Sequence, residues 1–171
     1  MEQSTSLKPQ DVALLVKLLV KEGHDWRQVD IAQELGLSQG EVAKALVRLK
    51  KAMLINGKQV NHQLALEFLV HAVKFVFPVD PGPLALGVPT GISSPAHYKM
   101  VVQSGEDVYV WPLATGKKRG QVIHPLYPQL PEAALKDQRF YDIMSAVDIL
   151  RVGRARERNL AIKYLEKELK V

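Results

Sequence analysis

Between positions 38 and 58 the chain carries five cations, Lys44, Arg48, Lys50, Lys51 and Lys58, against one acid, Glu41. At about 100° per helical residue, Gly40, Lys44, Val47, Arg48 and Lys51 point to one side, and Val42, Leu46, Leu49 and Met53 point away from them. Such a face has a defined chemistry. Its ammonium and guanidinium groups can donate to phosphate oxygens or to the acceptors of guanine. A glycine permits close approach to base edges, and a valine can touch a thymine methyl. The plainer reading is a small helical packing unit with a solvated charged face.

The elements that must position this face are legible around it. Ser38 can cap a helix start, and Glu41, three residues on, completes a Ser-x-x-Glu capping box, which accounts for the lone acid. Upstream, Asp25 can cap an earlier helix, with Gln28 three residues later and Ile31 and Leu35 as its apolar stripe. Gly36 supplies the backbone freedom for an abrupt change of direction, and Leu37 can plug the junction. Residues 25–53 therefore predict two short helices joined by a tight turn, the second being the one that would enter a major groove. The candidate DNA-contacting residues are Arg27 and Gln28 on the first helix. On the second they are Ser38, Gln39, Gly40, Lys44, Arg48 and Lys51, with Lys58 beyond it.

Ahead of this unit, Pro9 suits a helix start and Gly23 its end, with Val12, Leu15, Val16 and Leu19 at helical spacing. That helix would lie across the back of the pair. Trp26 reads as a partly buried core residue or as a sugar-phosphate anchor. Asn56-Gly57 is a hairpin dipeptide, so a small wing with Lys58 on a phosphate stands beside a plain loop between helices. Residues 60–77 read as one helix, apolar over most of its circumference, buried on two sides against the first helix, the C-terminal half or a second copy.

Five prolines and three glycines between positions 78 and 95 exclude a regular helix and mark 78–97 as a linker. Residues 98–103 and 107–113 read as strands joined by Ser104-Gly105-Glu106, with a third short strand over 121–124. Lys117, Lys118 and Arg119 form a basic loop that either touches phosphate or is a solvated turn. From Pro131 onward two helices are expected. The first has Phe140, Ile143, Met144, Val147 and Leu150 as its stripe and Asp137, Asp142 and Asp148 as exposed acids. Around Gly153 stand Arg151, Arg154, Arg156 and Arg158. They suit a protein partner or a second nucleic-acid contact, or internal ion pairs with Asp142, Asp148 or Glu157.

The bulk numbers set bounds. The chain has 171 residues, 47% hydrophobic and 24% charged, with 23 basic against 18 acidic residues, which excludes wholesale disorder and is compatible with nucleic acid. With no cysteine there is no disulfide or thiolate metal site. The first ten residues hold no apolar signal core and no stretch approaches the roughly 20 residues of a membrane span, so a cytoplasmic protein without membrane association is expected. His62 and His71 lie off helical ligand spacing, no carboxylate completes a set, and no activated nucleophile or phosphate-binding glycine loop is present. The expectation is no enzyme, no cofactor and no metal.

Residues 7–58 resemble the winged helix-turn-helix regulators of bacteria and archaea, the MarR-like group in particular, through Ile31-Ala32, Leu35-Gly36-Leu37-Ser38, Val42, Leu46 and Leu49. The resemblance implies a dimer on a near-palindromic operator, released by a small molecule or a partner, with Ser38, Gln39, Lys44 and Arg48 reading DNA. The chain departs from the group in its short wing, largely replaced by the helix that follows. In the C-terminal part, PLYPQLPEAAL and VDILRVGRARERNLA are similar to segments of regulators encoded beside nucleotidyltransferase-type toxins. The expected fold is α+β and mostly helical. Residues 1–77 would form a helix-turn-helix domain, 78–97 the linker, and 98–171 an α+β domain for a partner, a ligand or dimerisation. The expected function is a sequence-specific transcriptional regulator, a dimeric autorepressor on double-stranded DNA. The alternative is an antitoxin that occupies a cognate toxin through its C-terminal part and regulates its own operon.

Overall fold

Pro9 opens the first helix of the computed structural model, which describes residues 5–100 and 108–171. In this helix, α1 (Pro9–Lys21), the Asp11 carboxylate accepts the Lys8 backbone N–H at 2.8 Å and so satisfies a donor at the helix start. Every residue from 11 to 19 is buried, Lys17 included. The expected one-sided stripe is buried all round because both the helix Gln39–Lys51 and the helix Gln138–Val152 pack on it, with further contacts from Gln28–Leu35 and Gln59–Val60.

Helix α2 (Gln28–Leu35) ends at Gly36, whose φ of +69° is the left-handed conformation that a glycine adopts without strain. Asp25 does not cap α2. The cap position is Arg27, whose backbone N–H donates to Asp30 at 3.2 Å, and Asp25 instead meets Lys58. Helix α3 (Gln39–Lys51) begins at Ser38 with both bonds of the expected box formed.

A hairpin follows: β1 (Ile55–Asn56) pairs antiparallel with β2 (Gln59–Val60), Ile55 opposite Val60 and Asn56 opposite Gln59. Its two loop residues are Gly57 and Lys58, one position later than the Asn-Gly signal, and Gly57 takes the positive φ. The expected single helix over 60–77 is two. Asn61 caps α4 (His62–His71), the chain breaks at Ala72, and α5 (Val73–Val76) follows. Helix α4 packs on the helix Ala155–Leu169 and α5 on the helix Gln138–Val152.

The proline-dense segment is no linker throughout. It contains β3 (Leu84–Pro89) and a 3-10 turn, Gly91–Ser93. Strand β3 runs antiparallel to both β4 (Tyr109–Pro112) and β5 (Lys118–Val122), while β4 and β5 pair in parallel, so the three strands close on themselves. Pro89 and Pro112 stand at strand ends, where a missing N–H does least harm. Closure is tight: a Cβ on Gly87 would lie 2.0 Å from the Trp111 carbonyl oxygen, and one on Gly116 would lie 2.4 Å from Gly87 Cα. Of the expected strand over 98–103, Tyr98–Met100 is a 3-10 turn. Residues 101–103 and the turn at 104–106 lie outside the described residues.

The C-terminal helices are α6 (Leu130–Leu135), α7 (Gln138–Val152) and α8 (Ala155–Leu169). Asp137 is not a free surface acid: it caps α7 through the Phe140 N–H at 3.1 Å and takes the Lys17 ammonium at 2.6 Å. Asp148 is buried at 1% exposure, where it accepts from Thr90 Oγ1 and Trp111 Nε1, both at 2.7 Å, and from Arg151 at 2.9 Å. Burial pushes its carboxyl up, against the opposing pull of Arg151 and the two neutral donors. One apolar cluster runs from Val12 through Ile31, Leu49 and Leu69 to Ile143 and Leu165, so the two halves share a core. The fold is α+β and mostly helical. Among the described residues no helix is long and apolar enough to cross a membrane.

Candidate nucleic-acid interface

Helix α3 buries Val42, Ala45 and Leu49 against α1 and α2. Burial of that stripe turns Gln39, Gly40, Lys44, Val47, Lys50 and Lys51 outward, with Val47 60% exposed. Glu41 is drawn off this face. Its carboxylate accepts the Ser38 backbone N–H at 2.8 Å, and this bond with the Ser38 hydroxyl contact holds it below the usual carboxylate range. The Ser38 hydroxyl accepts in turn from the Glu41 N–H at 3.1 Å, so both polar groups are engaged in starting the helix.

Arg48 corrects the expected face. It is 6% exposed, and its guanidinium makes a two-pronged bond to Asp11 on α1, Nε to Oδ2 and Nη2 to Oδ1, each at 2.7 Å. Its side chain is enclosed between α1 and α3 and cannot reach a groove without breaking that pair. The geometric reason is its place on the helix: Arg48 stands three residues after the buried Ala45 and so shares its side. The Asp11 bond raises the guanidinium above its already high pKa, fixing its charge.

Beside α3, the remaining candidates are exposed but engaged. Arg27 is 75% exposed, with Nε and Nη2 on Asp30 at 3.0 and 2.9 Å. Solvent screens an exposed pair of this kind, so an anion can compete for the guanidinium. Gln28 is exposed at the first turn of α2. The Lys58 ammonium at the hairpin tip bonds Asp25 at 2.5 Å and the Trp26 carbonyl at 2.8 Å, and lies 5.0 Å from the centre of the Trp26 ring. Trp26 itself is 7% exposed, which places it in the core.

The second set of cations is divided. Arg151 is buried and spans three elements, donating to the Phe77 carbonyl at 2.9 Å, the His124 carbonyl at 3.4 Å and Asp148 at 2.9 Å. It is an internal tie. Arg154 and Arg156 are exposed and Arg158 half-buried at the start of α8, where the Arg154 N–H donates to Glu157. Lys117, Lys118 and Arg119 are exposed at the start of β5. Helix α3 packs on α1, α2 and β1 while α8 packs on α7 and α4, so these cations do not extend the α3 face.

Sequence reasoning missed Asp11, the partner that removes Arg48 from the face. Its one signal was a lone acid in the first turn of a helix whose residues 12–16 are all apolar. The histidines are dispersed: His62 lies between Glu22 Oε2 and the Leu169 carbonyl, 2.6 Å from each, and His97 is buried beside Tyr164. Among the described residues no group of three or more His, Cys, Asp or Glu could hold a metal ion. No family model, curated protein or solved structure matches the chain.

Proposed function

We propose that this chain is a sequence-specific DNA-binding transcriptional regulator, a dimeric repressor acting on double-stranded DNA in the cytoplasm. In this reading α2 and α3 form a helix-turn-helix, the β1–β2 hairpin is its short wing, and α3 enters the major groove. The observation that carries the reading is the outer face of α3. Gly40, Lys44, Val47 and Lys51 are exposed, and neither lysine has an ion pair among the described residues. Lys44 and Lys51 serve as groove and phosphate contacts, Gln39 and Val47 as base-edge contacts, and Arg27 and Lys58 as flanking phosphate contacts. Arg48 has no direct part; it fixes the pose of α3 against α1. No catalysis, cofactor or metal enters this reading.

Dimerisation is supported by α5, where Phe75 is 75% and Val76 55% exposed, an apolar surface suited to a second copy. Two such copies would meet half-sites roughly 34–36 Å apart. The test is footprinting on the duplex upstream of its own gene, with a scrambled duplex as competitor. Protection of a near-palindromic site, lost steeply as salt rises, supports the reading; equal affinity for both duplexes rejects it.

A second reading, an antitoxin whose C-terminal part occupies a cognate toxin, is favoured by Leu84 and Leu86. They are 59% and 49% exposed on one face of β3, beside Arg119. If Leu86→Glu abolishes neutralisation of a neighbouring gene product and leaves DNA binding unchanged, the antitoxin reading stands.

A further inference from the structure

We infer that the cleft between the closed three-stranded sheet and the α6–α7 corner binds a small organic anion with an apolar body, of the class of medium-chain or aromatic carboxylates. The cleft encloses about 440 Å³, within the roughly 300–1,000 Å³ of small-molecule sites. Its walls are apolar, from Val88, Leu113, Ala134, Leu135 and Tyr141. Part of its floor is bare backbone, because Gly87 and Gly116 stack too closely for either to carry a side chain.

Charge at the mouth selects the ligand. Lys117 and Lys118 line the cleft, no carboxylate among the described residues does, and neither lysine has a hydrogen bond or an ion pair there. Two lysines without a counter-ion beside low-dielectric walls make the potential at the cavity's mouth positive. Of the other polar side chains, the Gln138 amide donates to Asp142 at 2.7 Å and the Tyr141 hydroxyl donates to the Pro89 carbonyl, while the Thr115 hydroxyl can donate to an anion. A cation would be repelled, and a neutral chain would gain nothing from either lysine. Leu135, 63% exposed at the rim, is the apolar surface that the ligand's body would cover. The site stands independently of whether α3 meets DNA.

The probes are octanoate, 2-naphthoate and octylammonium, titrated calorimetrically into the full chain, with backbone amide shifts to locate binding. One of the two carboxylates should bind at a single site at least tenfold more tightly than octylammonium, shifting Val88, Leu113 and Ala134. Leu135→Glu and Lys117→Glu change exposed side chains, so the thermal midpoint should hold while affinity falls at least fivefold in each. Failure of both carboxylates at millimolar concentration overturns the assignment. So does equal binding of octylammonium, or shifts confined to another part of the molecule, or affinity untouched by both variants.

Discussion

Arg48 and Asp11, 37 residues apart in the chain, form a buried two-pronged ion pair that ties α3 to the first turn of α1. Arg48→Ala would strand the Asp11 carboxylate inside the fold, a change that typically costs about 3–5 kcal/mol. Against a total stability of roughly 5–15 kcal/mol, that is a severe loss. Urea denaturation should show it directly. The double change Asp11→Leu with Arg48→Met should recover most of it, short only of the Asp11 bond to the Lys8 N–H. If Arg48→Ala melts like the wild type and loses only DNA binding, Arg48 belongs to the groove after all.

Lys44 and Lys51 should behave in the opposite manner. Both are exposed, so replacing either with alanine should leave the denaturation midpoint within about 0.5 kcal/mol of the wild type. If Lys44 reads a base, Lys44→Ala weakens the specific complex by about 1–3 kcal/mol and relaxes selectivity at one position. If Lys51 meets a phosphate, as proposed, Lys51→Ala should weaken all duplexes alike. It should also lower the slope of log affinity against log salt by about one. Fluorescence anisotropy across a salt series separates the two effects.

The two-helix unit was legible because its signals are local. The Ser38–Glu41 box, the turn at Gly36 and the buried Val42 and Leu49 all act within a few residues and appear where the spacing puts them, whereas Met53, expected to extend the stripe, lies past the end of α3, 67% exposed and with a φ of +62°. Arg48 and Asp148 were misplaced because their partners are distant. Asp148 meets Thr90 from 58 positions away and Trp111 from 37; an internal pair with Arg151, three residues on, was one of the readings open for that arginine, but it does not by itself bury the acid. Strand β3 was hidden for a related reason. Its prolines and glycines read as a breaker, yet Gly87 is there because two other strands press against it, and Pro89 is tolerated because it ends the strand. The helix over 60–77 was right in type but not in continuity, since no residue near Ala72 announces the break.

Acid should loosen the joint between the two halves. Burial on its own would raise the Asp137 carboxyl, but the bond from Lys17, the Phe140 N–H and the nearby lysine charges outweigh it and leave the group below its ordinary value. A depressed folded pKa contributes stability that is present above the unfolded carboxylate value of about 3.9 and is lost as pH falls through the folded value. Asp137→Asn keeps a capping side chain but gives up the charge, leaving Lys17 with Glu34 at 3.3 Å. It should cost about 2–3 kcal/mol near neutrality, less than a fully orphaned buried charge, and flatten the acid limb of the stability curve. An unchanged slope between pH 5 and 2, roughly the window of carboxylate titration, would show that the pair adds nothing.

Gly87 should tolerate no side chain. Gly87→Ala would drive a methyl group to within 2.0 Å of a carbonyl oxygen on the paired strand, so the closed sheet must open or shift. Overpacking of this sort costs typically 1–3 kcal/mol, and the backbone contact argues for at least about 3. Gly57→Ala is the contrasting case. It meets nothing within 4 Å but keeps a φ of +59°, so only the backbone preference is lost, about 1 kcal/mol. Thermal melts that rank the two variants in the other order would contradict the strand closure.

Phe75 is the residue on which to test the proposed dimer. A phenylalanine that is 75% exposed next to a valine that is 55% exposed costs solubility in a monomer, and a two-fold contact through α5 would bury both. Phe75→Glu places like charges across such an axis without touching the core, since α5 meets α7 by way of the buried Val73. Sedimentation velocity should then give the monomer mass with an unchanged far-ultraviolet spectrum. Half-site binding should survive, while affinity for the full operator falls by about 100-fold or more as the linked second contact is lost. A variant that sediments with a dimeric wild type would place the contact elsewhere, and a wild type of monomer mass would reject the dimer.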